Sequence, residues 1–364
     1  MEQNAQRELR SISPEWTVGE LMARIARALA SDGPALLFGA SQISTVSPRI
    51  SIVVQTTGSS GAAKEVGLSA NALLSSARAS HEFLGAQFGN TWSLLLPLTH
   101  IAGINVLVRS LELGTEAIDL REHNGEYPVA DFTAVVPTQI FRALNSDTYL
   151  LTHLQSAKAV LVGGAALSAD LHKQATDAGI KIVTTYGMTE TSGGCVYNGV
   201  PLKGVEVSIT SDHKVAIRGS ILATTYVNAE QDWNAQLRDG WFITRDTGHF
   251  DHEKLIVDGR IDDVIISGGE NISLHAVEES LSLQFPHKHF AAFAIDDSQW
   301  GQALHLAVAG DQLPLQSEID TFLSQKFGAV GKPKGYLYLS ELPLIGIGKI
   351  DRKKLQELYV EAHH

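Results

Sequence analysis

Three features of the sequence predict an α/β protein with a large N-terminal α/β domain, a small antiparallel β unit within it, and a smaller C-terminal α+β domain. Short apolar, β-branched runs alternate with helix-length amphipathic stretches from residue 35 to about residue 190, the pattern of a largely parallel sheet covered by helices. Beyond about residue 200 the texture changes to short β-like pieces, Val205–Ile209, Val215–Ile217 and Leu255–Val257, separated by Gly, Asn and Asp. After Gly259-Arg260-Ile261 a fresh alternation of strands and helices begins. These breaks place one domain at 1–261 and a second at 262–364.

The elements follow in order. Thr17-Val18-Gly19-Glu20 is a capping box ahead of Leu21, Ile25 and Leu29, which recur on one helical face. Ala35–Phe38 is a short buried strand. Ile50–Val54 is a second, and it runs into Thr56-Thr57-Gly58-Ser59-Ser60-Gly61-Ala62-Ala63-Lys64, with a helix from about 70 to 84 opened by Ser69 and stopped by Gly85. Trp92–Leu98 reads as a buried strand leading through Thr99-His100 into an apolar helix that reaches Gly114. Strand–helix pairs continue with Phe132–Val136 and Pro137, with Ala159–Val162, Gly163-Gly164-Ala165 and Ser168, and with Lys181–Thr185 before Tyr186-Gly187-Met188-Thr189-Glu190. If one sheet holds them all, the loops after Val54, Leu98, Val162 and Thr185 share its carboxyl edge, where ligands of open α/β sheets gather. The second domain reads as a strand, a glycine turn, helix 275–283, strands 289–295 and 304–309, helix 316–327 and strand 336–339.

At 364 residues and 44% hydrophobic content the chain has the length of roughly two domains and the makeup of an ordinary packed core. A net charge of −12 excludes a general nucleic-acid coat, so any nucleotide must be held by local groups. One cysteine, Cys195, excludes an internal disulfide framework and a Cys-based zinc cluster, and fits a reducing cytoplasm. The N-terminus lacks the apolar core of a leader, and no run reaches the ~18 apolar residues of a membrane span. A soluble protein with no membrane partner is expected.

The segment 56–64 has the chemistry of an anion loop. Its glycines admit a phosphate close to the backbone, N–H groups and hydroxyls donate to its oxygens, and Lys64 adds a positive charge. A Walker A loop is excluded, because Gly58 and Gly61 are too close together and Ala62-Ala63 precede the lysine. A plain Ser/Gly surface turn would give the same string, and the other motifs decide between the two.

Seven strings, TTGSSGAAK, PLTHIAG, VGGA, YGMTET, WFITRD, GRIDDVIISGGENIS and PLIGIGKIDR, occur in the order and spacing of the acyl-adenylate-forming family, and nearly the whole chain from about residue 35 resembles that family. It comprises acyl- and aryl-CoA synthetases, luciferases and peptide-synthetase adenylation domains. Within it, Thr244-Arg245-Asp246, the Ser267–Asn271 turn and Leu107-Val108-Arg109-Ser110 after His100 resemble most the o-succinylbenzoate–CoA ligases of menaquinone biosynthesis. The resemblance implies that a carboxylate attacks the α-phosphorus of MgATP, releasing pyrophosphate, and that the thiol of coenzyme A then displaces AMP. A carboxylate is already ionised at neutral pH, so the first step needs positioning and charge neutralisation but no general base. ATP, Mg²⁺, coenzyme A and a small carboxylic acid are the expected partners. A homodimer remains open.

Residue by residue, the resemblance implies that Thr56, Thr57, Gly58, Ser59, Ser60, Gly61 and Lys64 hold the β- and γ-phosphates. Gly164, Ala165 and Gly187 would bind the nucleotide, Tyr186 would lie against the adenine, Thr189 would bind the α-phosphate, and Glu190 would help ligate Mg²⁺. Asp246 matches the ribose-binding aspartate and Arg260 a ribose or phosphate contact, whereas a solvated turn and a charged hairpin are their bland alternatives. Asp262 matches the hinge of a mobile second domain, Gly268 and Gly269, with Glu270, the wall of a pantetheine tunnel, and Lys349 the lysine that bridges the attacking carboxylate and the α-phosphate. His100, Asn105, Gly163 and Gly164 are the acyl-pocket candidates, with His100, Thr189 and Lys349 the catalytic ones; a packed core histidine and a surface lysine are the alternatives for His100 and Lys349. Departures from the family pattern are a short stretch before Thr56, Ala63 for proline, Leu274 for proline, and Arg245 for glycine. Another aryl- or medium-chain acyl-CoA ligase, a carrier-protein-loading enzyme and a catalytically silent nucleotide-binding module are the competing functions.

Overall fold

The computed structural model describes residues 6–56, 63–285, 288–298, 300–310, 314–345 and 349–363. Thr57, Gly58, Ser59, Ser60 and Gly61, and the glycines before Lys349, lie outside the described residues. The chain divides into two compact units, one of Met1–Leu167, Leu171–Thr244 and Phe250–Ile256, the other of Ser168–Asp170, Arg245–His249 and Val257–His364.

The first unit contains two large sheets, where the alternation of strands and helices suggested one. In the first, Ile50–Thr56, Ala35–Phe38 and Arg7–Ser11 are parallel neighbours, flanked by antiparallel Lys64–Ser69, Thr225–Tyr226 and Thr45–Val46. The second places Ile118–Asp119, Trp92–Leu94, Phe132–Val135, Ala159–Val162 and Ile182–Met188 in parallel, and then adds Gly193–Tyr197 and Val200–Pro201 antiparallel. The loop after Val54 therefore belongs to a different sheet from those after Leu98, Val162 and Thr185. Periodicity identifies strands, but it does not say which strands pair.

A second correction concerns the phosphate loop itself. It does not run straight into a helix. Lys64–Ser69 returns as a strand antiparallel to Ile50–Thr56, with Thr56 opposite Lys64, and the helix Ala70–Leu84 starts only afterwards. The strands that flank the loop thus pair with each other, and no helix begins directly after it. The helix Ala70–Leu84 is nonetheless delimited as the residues suggest, since Ser69 accepts from Ala72 N–H and Gly85 stops it at φ +64°. The capping box also forms, with Thr17 N–H donating to Glu20 and Glu20 N–H to the Thr17 hydroxyl.

Other boundaries shift. The strand expected at Trp92–Leu98 stops at Leu94, and that at Lys181–Thr185 continues to Met188, so Tyr186 and Gly187 sit inside a strand. The 11-residue strand Trp241–Asp251, which holds Asp246, the strand Arg7–Ser11 and the helices Thr148–Ser156 and Arg352–His363 have weak periodic signals and are additions. The antiparallel unit pairs Val205–Ile209, Lys214–Gly219, Trp241–Asp251 and Leu237–Arg238 in that order, with Lys254–Arg260 on Trp241–Asp251.

The second unit is built on the hairpin His289–Asp297 with Gly301–Ala309, extended by Val264–Ser267, Glu270–Ser273 and parallel Gly335–Leu339. Helices Leu274–Gln284 and Gln316–Phe327 bury Val277, Leu281, Ile319 and Leu323 against Phe290, Leu304 and Leu306. The hairpin turn between Ser267 and Glu270 is two glycines, Gly268 at φ +57° and Gly269 at φ +87°. A type I′ turn needs φ > 0 at both positions, which is why this turn is Gly-Gly. Among the described residues no helix is long and apolar enough to cross a membrane.

Candidate active site

In the first unit two predicted residues come together around a third that the sequence motifs did not single out. Lys64 leaves the phosphate hairpin with its ammonium 4.3 Å from the ring centroid of Tyr226 and 3.8 Å from the Asp232 carboxylate. The Tyr226 hydroxyl donates to Glu190 Oε1 at 2.7 Å. Glu190 is the middle residue of the 3₁₀ turn Thr189–Thr191 at the end of the strand that carries Tyr186 and Gly187. The lysine expected on phosphate and the carboxylate expected on Mg²⁺ therefore share one buried phenol, 1% exposed. Burial and the adjacent Glu190 raise the Tyr226 pKa, so the phenol stays a donor.

This arrangement suits a magnesium nucleotide. Among the described residues the Glu190 carboxylate accepts only from Tyr226 and forms no ion pair, which leaves a hard carboxylate oxygen for a cation. No group of three His, Cys, Asp or Glu side chains that could hold a metal occurs among the described residues. Mg²⁺ commonly takes one or two carboxylates and completes its shell with substrate phosphates and water, so this donor set fits it.

The turn at Glu190 is fixed from several sides. Met188 N–H donates to the Thr191 hydroxyl, which donates in turn to Gly193 C=O, and Ser192 sits at φ +52°. Asn105, buried on the helix Ile101–Glu112, donates its amide to Ser192 C=O at 2.8 Å, so that nitrogen is committed to bracing the turn. The Thr189 hydroxyl makes no hydrogen bond among the described residues and is available to a ligand. Gly187 is required by contact, because a Cβ there would overlap the backbone oxygen of Gly193. Gly163 packs likewise on the Thr185 hydroxyl, and Gly164 takes φ +82°, with Ala165 following on the exposed loop after Val162. Tyr186 is half-buried and pairs with Val196.

His100, half-buried, is the N-cap of the helix Ile101–Glu112, which packs so closely under the preceding chain that a Cβ on Gly103 would overlap Pro97 C=O. The same helix carries Arg109. This guanidinium is 3% exposed, donates to the Tyr197 hydroxyl at 3.0 Å, lies 4.9 Å from the Trp92 ring centroid, and has no carboxylate partner among the described residues. Its Nε is buried without a hydrogen bond. Nearby His81 is pushed down to about 4 by burial and by the charge of Arg109, so it remains neutral.

In the second unit four charged side chains form one network. Arg260 reaches Asp246 at 3.4 Å and Asp262 at 3.1 Å, while Arg245 contacts both oxygens of Asp262 at 3.1 and 3.2 Å. Asp246 is 7% exposed within its strand and is no solvated turn residue. Burial acts to raise the Asp262 carboxyl, but the hydrogen bonds from Arg245 and Arg260 outweigh it and hold the pKa below its ordinary value. Arg245, the departure from the family glycine, thus pairs with the residue matched to the hinge. Lys349 is exposed at the start of the short strand Lys349–Ile350, paired with Leu344–Ile345. Three residues on, Arg352 contacts both oxygens of Glu278 at 3.0 and 3.1 Å.

Residues 11–226 match the family described as AMP-binding enzyme. The probable 2-succinylbenzoate–CoA ligase of Mycobacterium tuberculosis is 34% identical over 363 residues, covering 92% of this chain and 94% of its own length. The 2-succinylbenzoate–CoA ligase of Lactococcus lactis is 28% identical, covering 85% and 71%. Among solved structures, ATP-bound MatB from Rhodopseudomonas palustris aligns with a TM-score of 0.78 at 20% identity, over 97% of this chain and 84% of that one. The o-succinylbenzoate CoA synthetase of Bacillus subtilis, in complex with its acyl-adenylate intermediate, aligns with 0.72 at 22%, over 95% and 82%. The motifs, the two-unit fold and a family match across more than half of the sequence agree, and the chain belongs to the AMP-binding enzyme family of acyl-adenylate-forming enzymes.

Proposed function

We propose that this protein is an AMP-forming acid–CoA ligase that converts 2-succinylbenzoate, ATP and coenzyme A to the CoA thioester, AMP and pyrophosphate, as a cytoplasmic step of menaquinone biosynthesis. Support for the chemistry comes from Lys64 and Glu190 on one phenol. An ammonium for the leaving phosphates and an open carboxylate for Mg²⁺ are what an in-line attack on the α-phosphorus requires. Mg²⁺ bound there would neutralise phosphate charge. Thr189 takes the α-phosphate, Tyr186 lies against the adenine, Gly187, Gly164 and Ala165 bind the nucleotide, and Asp246 with Arg260 holds the ribose. Thr56 to Gly61 cover the β- and γ-phosphates.

The second domain, 262–364, supplies Lys349 to the attacking carboxylate and the α-phosphate, with Asp262 as its hinge and Gly268-Gly269 beside the pantetheine arm. His100, Asn105, Gly163 and Gly164 border the acyl group. The choice of an aromatic dicarboxylate over a monocarboxylate is supported by Arg109, a buried guanidinium with an unmatched Nε on the helix that begins at His100. A purely apolar acyl pocket has no use for a buried cation, whereas a second substrate carboxylate would complete its hydrogen bonds. The test is acid-dependent exchange of pyrophosphate into ATP. Exchange driven by 2-succinylbenzoate, and much less by benzoate or octanoate, is the expected result; exchange with octanoate alone would discard the substrate, and none with any acid would leave a silent nucleotide-binding module.

A further inference from the structure

Tyr226 meets the two charged groups of the nucleotide site through different parts of its side chain. Its ring carries the Lys64 ammonium at 4.3 Å, and its hydroxyl donates to Glu190 at 2.7 Å. Lys64 and Glu190 nevertheless form no ion pair with each other among the described residues. That separation matters, because a lysine paired with Glu190 would occupy the oxygen a cation needs, whereas Lys64 pairs with Asp232 instead.

The phenol is held too firmly for its position to be incidental. Trp233 packs on it edge to face at 5.3 Å, and Phe242 stacks on Trp233 at 5.0 Å. The backbone on either side is fastened to the same elements that carry the two charges. Thr225 and Tyr226 pair with Gly67 and Val66 on the strand beginning at Lys64, Val227 N–H donates to Glu65 C=O, and the Asn228 amide bridges Ala63 C=O and Glu65 N–H at 2.9 Å each. Ala223 N–H donates to Glu190 C=O at 2.8 Å. One strap, Ala223–Trp233, thus references the phosphate hairpin and the Glu190 turn to each other.

We propose that Tyr226 is a positioning residue that keeps the phosphate lysine and the cation-binding carboxylate apart and correctly aimed, so that ATP and its divalent cation bind as a unit. This rests on the reading of Lys64 and Glu190 given above. The hydroxyl has the more specific task. It occupies one oxygen of Glu190 as a neutral donor, which orients the carboxylate without cancelling its charge, and leaves the other oxygen to the metal. The ring holds Lys64 away from Glu190, and the Asp232 carboxylate, 3.8 Å from the ammonium, is the acid that pairs with it.

The test is calorimetric binding of ATP to the full chain with and without Mg²⁺, in wild type, Tyr226→Phe, Tyr226→Leu and Glu190→Gln. Wild type should bind ATP more tightly with Mg²⁺ than without. Tyr226→Phe keeps the ring and should lower that Mg²⁺-dependent gain roughly tenfold, the scale of one hydrogen bond to a charged group, with metal-free ATP affinity retained within about twofold. Tyr226→Leu should weaken both. Glu190→Gln should remove the gain, and adding Tyr226→Phe to it should change nothing further. A Tyr226→Phe variant with an undiminished Mg²⁺ gain, or one that loses metal-free and metal-bound affinity equally, overturns the proposal. A wild type with no Mg²⁺ gain overturns the reading of Glu190 itself, and with it the inference.

Discussion

Replacing Arg109 with Met separates a structural arginine from one retained for substrate, because the two readings predict opposite outcomes. The guanidinium contributes one hydrogen bond to a neutral hydroxyl, Tyr197 at 3.0 Å, and a cation–π contact with Trp92 at 4.9 Å. Together these are worth about 1–3 kcal/mol. Against them stand the desolvation of a buried charge with no carboxylate partner among the described residues, several kcal/mol, and an orphaned Nε, about 1–3 kcal/mol. The costs exceed the gains, so Arg109→Met should leave stability to urea unchanged or raise it, where truncating a well-packed core side chain costs about 2–5 kcal/mol.

Substrate recognition should respond differently. Losing a charge-assisted hydrogen bond to a second carboxylate costs about 1.5–3 kcal/mol, or roughly ten- to 150-fold in kcat/KM for 2-succinylbenzoate. An analogue lacking the carboxylate that is not activated should show no such loss. His81 supplies a spectroscopic control, since removing the Arg109 charge should let its pKa rise from about 4. Unchanged discrimination between the two acids, or a stability loss above about 3 kcal/mol with discrimination intact, would refute the reasoning.

The other predictions concern the turn, the lysine and the second unit. Lys349→Ala should abolish adenylate formation yet leave conversion of a preformed adenylate to thioester largely intact; equal loss of both half-reactions in single-turnover assays would contradict its assignment to the first step. Gly187→Ala forces a Cβ into the Gly193 backbone oxygen and should cost about 1–3 kcal/mol or more in urea unfolding, with loss of ATP binding, whereas a neutral result would mean that the two strands separate freely. Burial pushes Glu278 up to about 7 despite Arg352. Between about pH 4.5 and 7 the unfolded chain then gives up a proton that the folded one keeps, so stability falls as pH rises through that window, by up to about 3 kcal/mol, and levels off above it. Glu278→Gln should remove that slope from urea titrations run at pH 5 to 8, and an unaltered slope would assign it elsewhere.

Much of the fold is legible in local chemistry. Thr17 with Glu20, Ser69 with Gly85, and the run Ala35–Phe38 mark their elements because caps and buried strands are decided by neighbouring residues. Strand pairing is decided by distant ones, so two sheets were not distinguishable from one, and the strand after Lys64 stayed hidden behind the serine cap that follows it. The same distinction runs through the site. Lys64, Glu190, Asp246 and Arg260 are visible as motif residues because each lies in a string that matches the family pattern. Tyr226 is not, since its role is defined by contacts to Lys64 and Glu190, far from it in the chain, and locally it is only one aromatic in a short strand. Arg109 shows in the sequence as a charge in an apolar helix, a signal that could have marked it, but only its burial without a carboxylate gives that charge a meaning.

Thioester formation tests the central claim most directly. The purified protein would be incubated with ATP, Mg²⁺ and coenzyme A against 2-succinylbenzoate, benzoate, a cinnamate and octanoate, and the products weighed by mass spectrometry. The account predicts a CoA thioester from 2-succinylbenzoate far in excess of the other acids, with AMP and pyrophosphate in equal amounts. A thioester from octanoate or a cinnamate but not from 2-succinylbenzoate would contradict the assigned substrate, and ATP binding without AMP or pyrophosphate from any acid would contradict the assigned reaction.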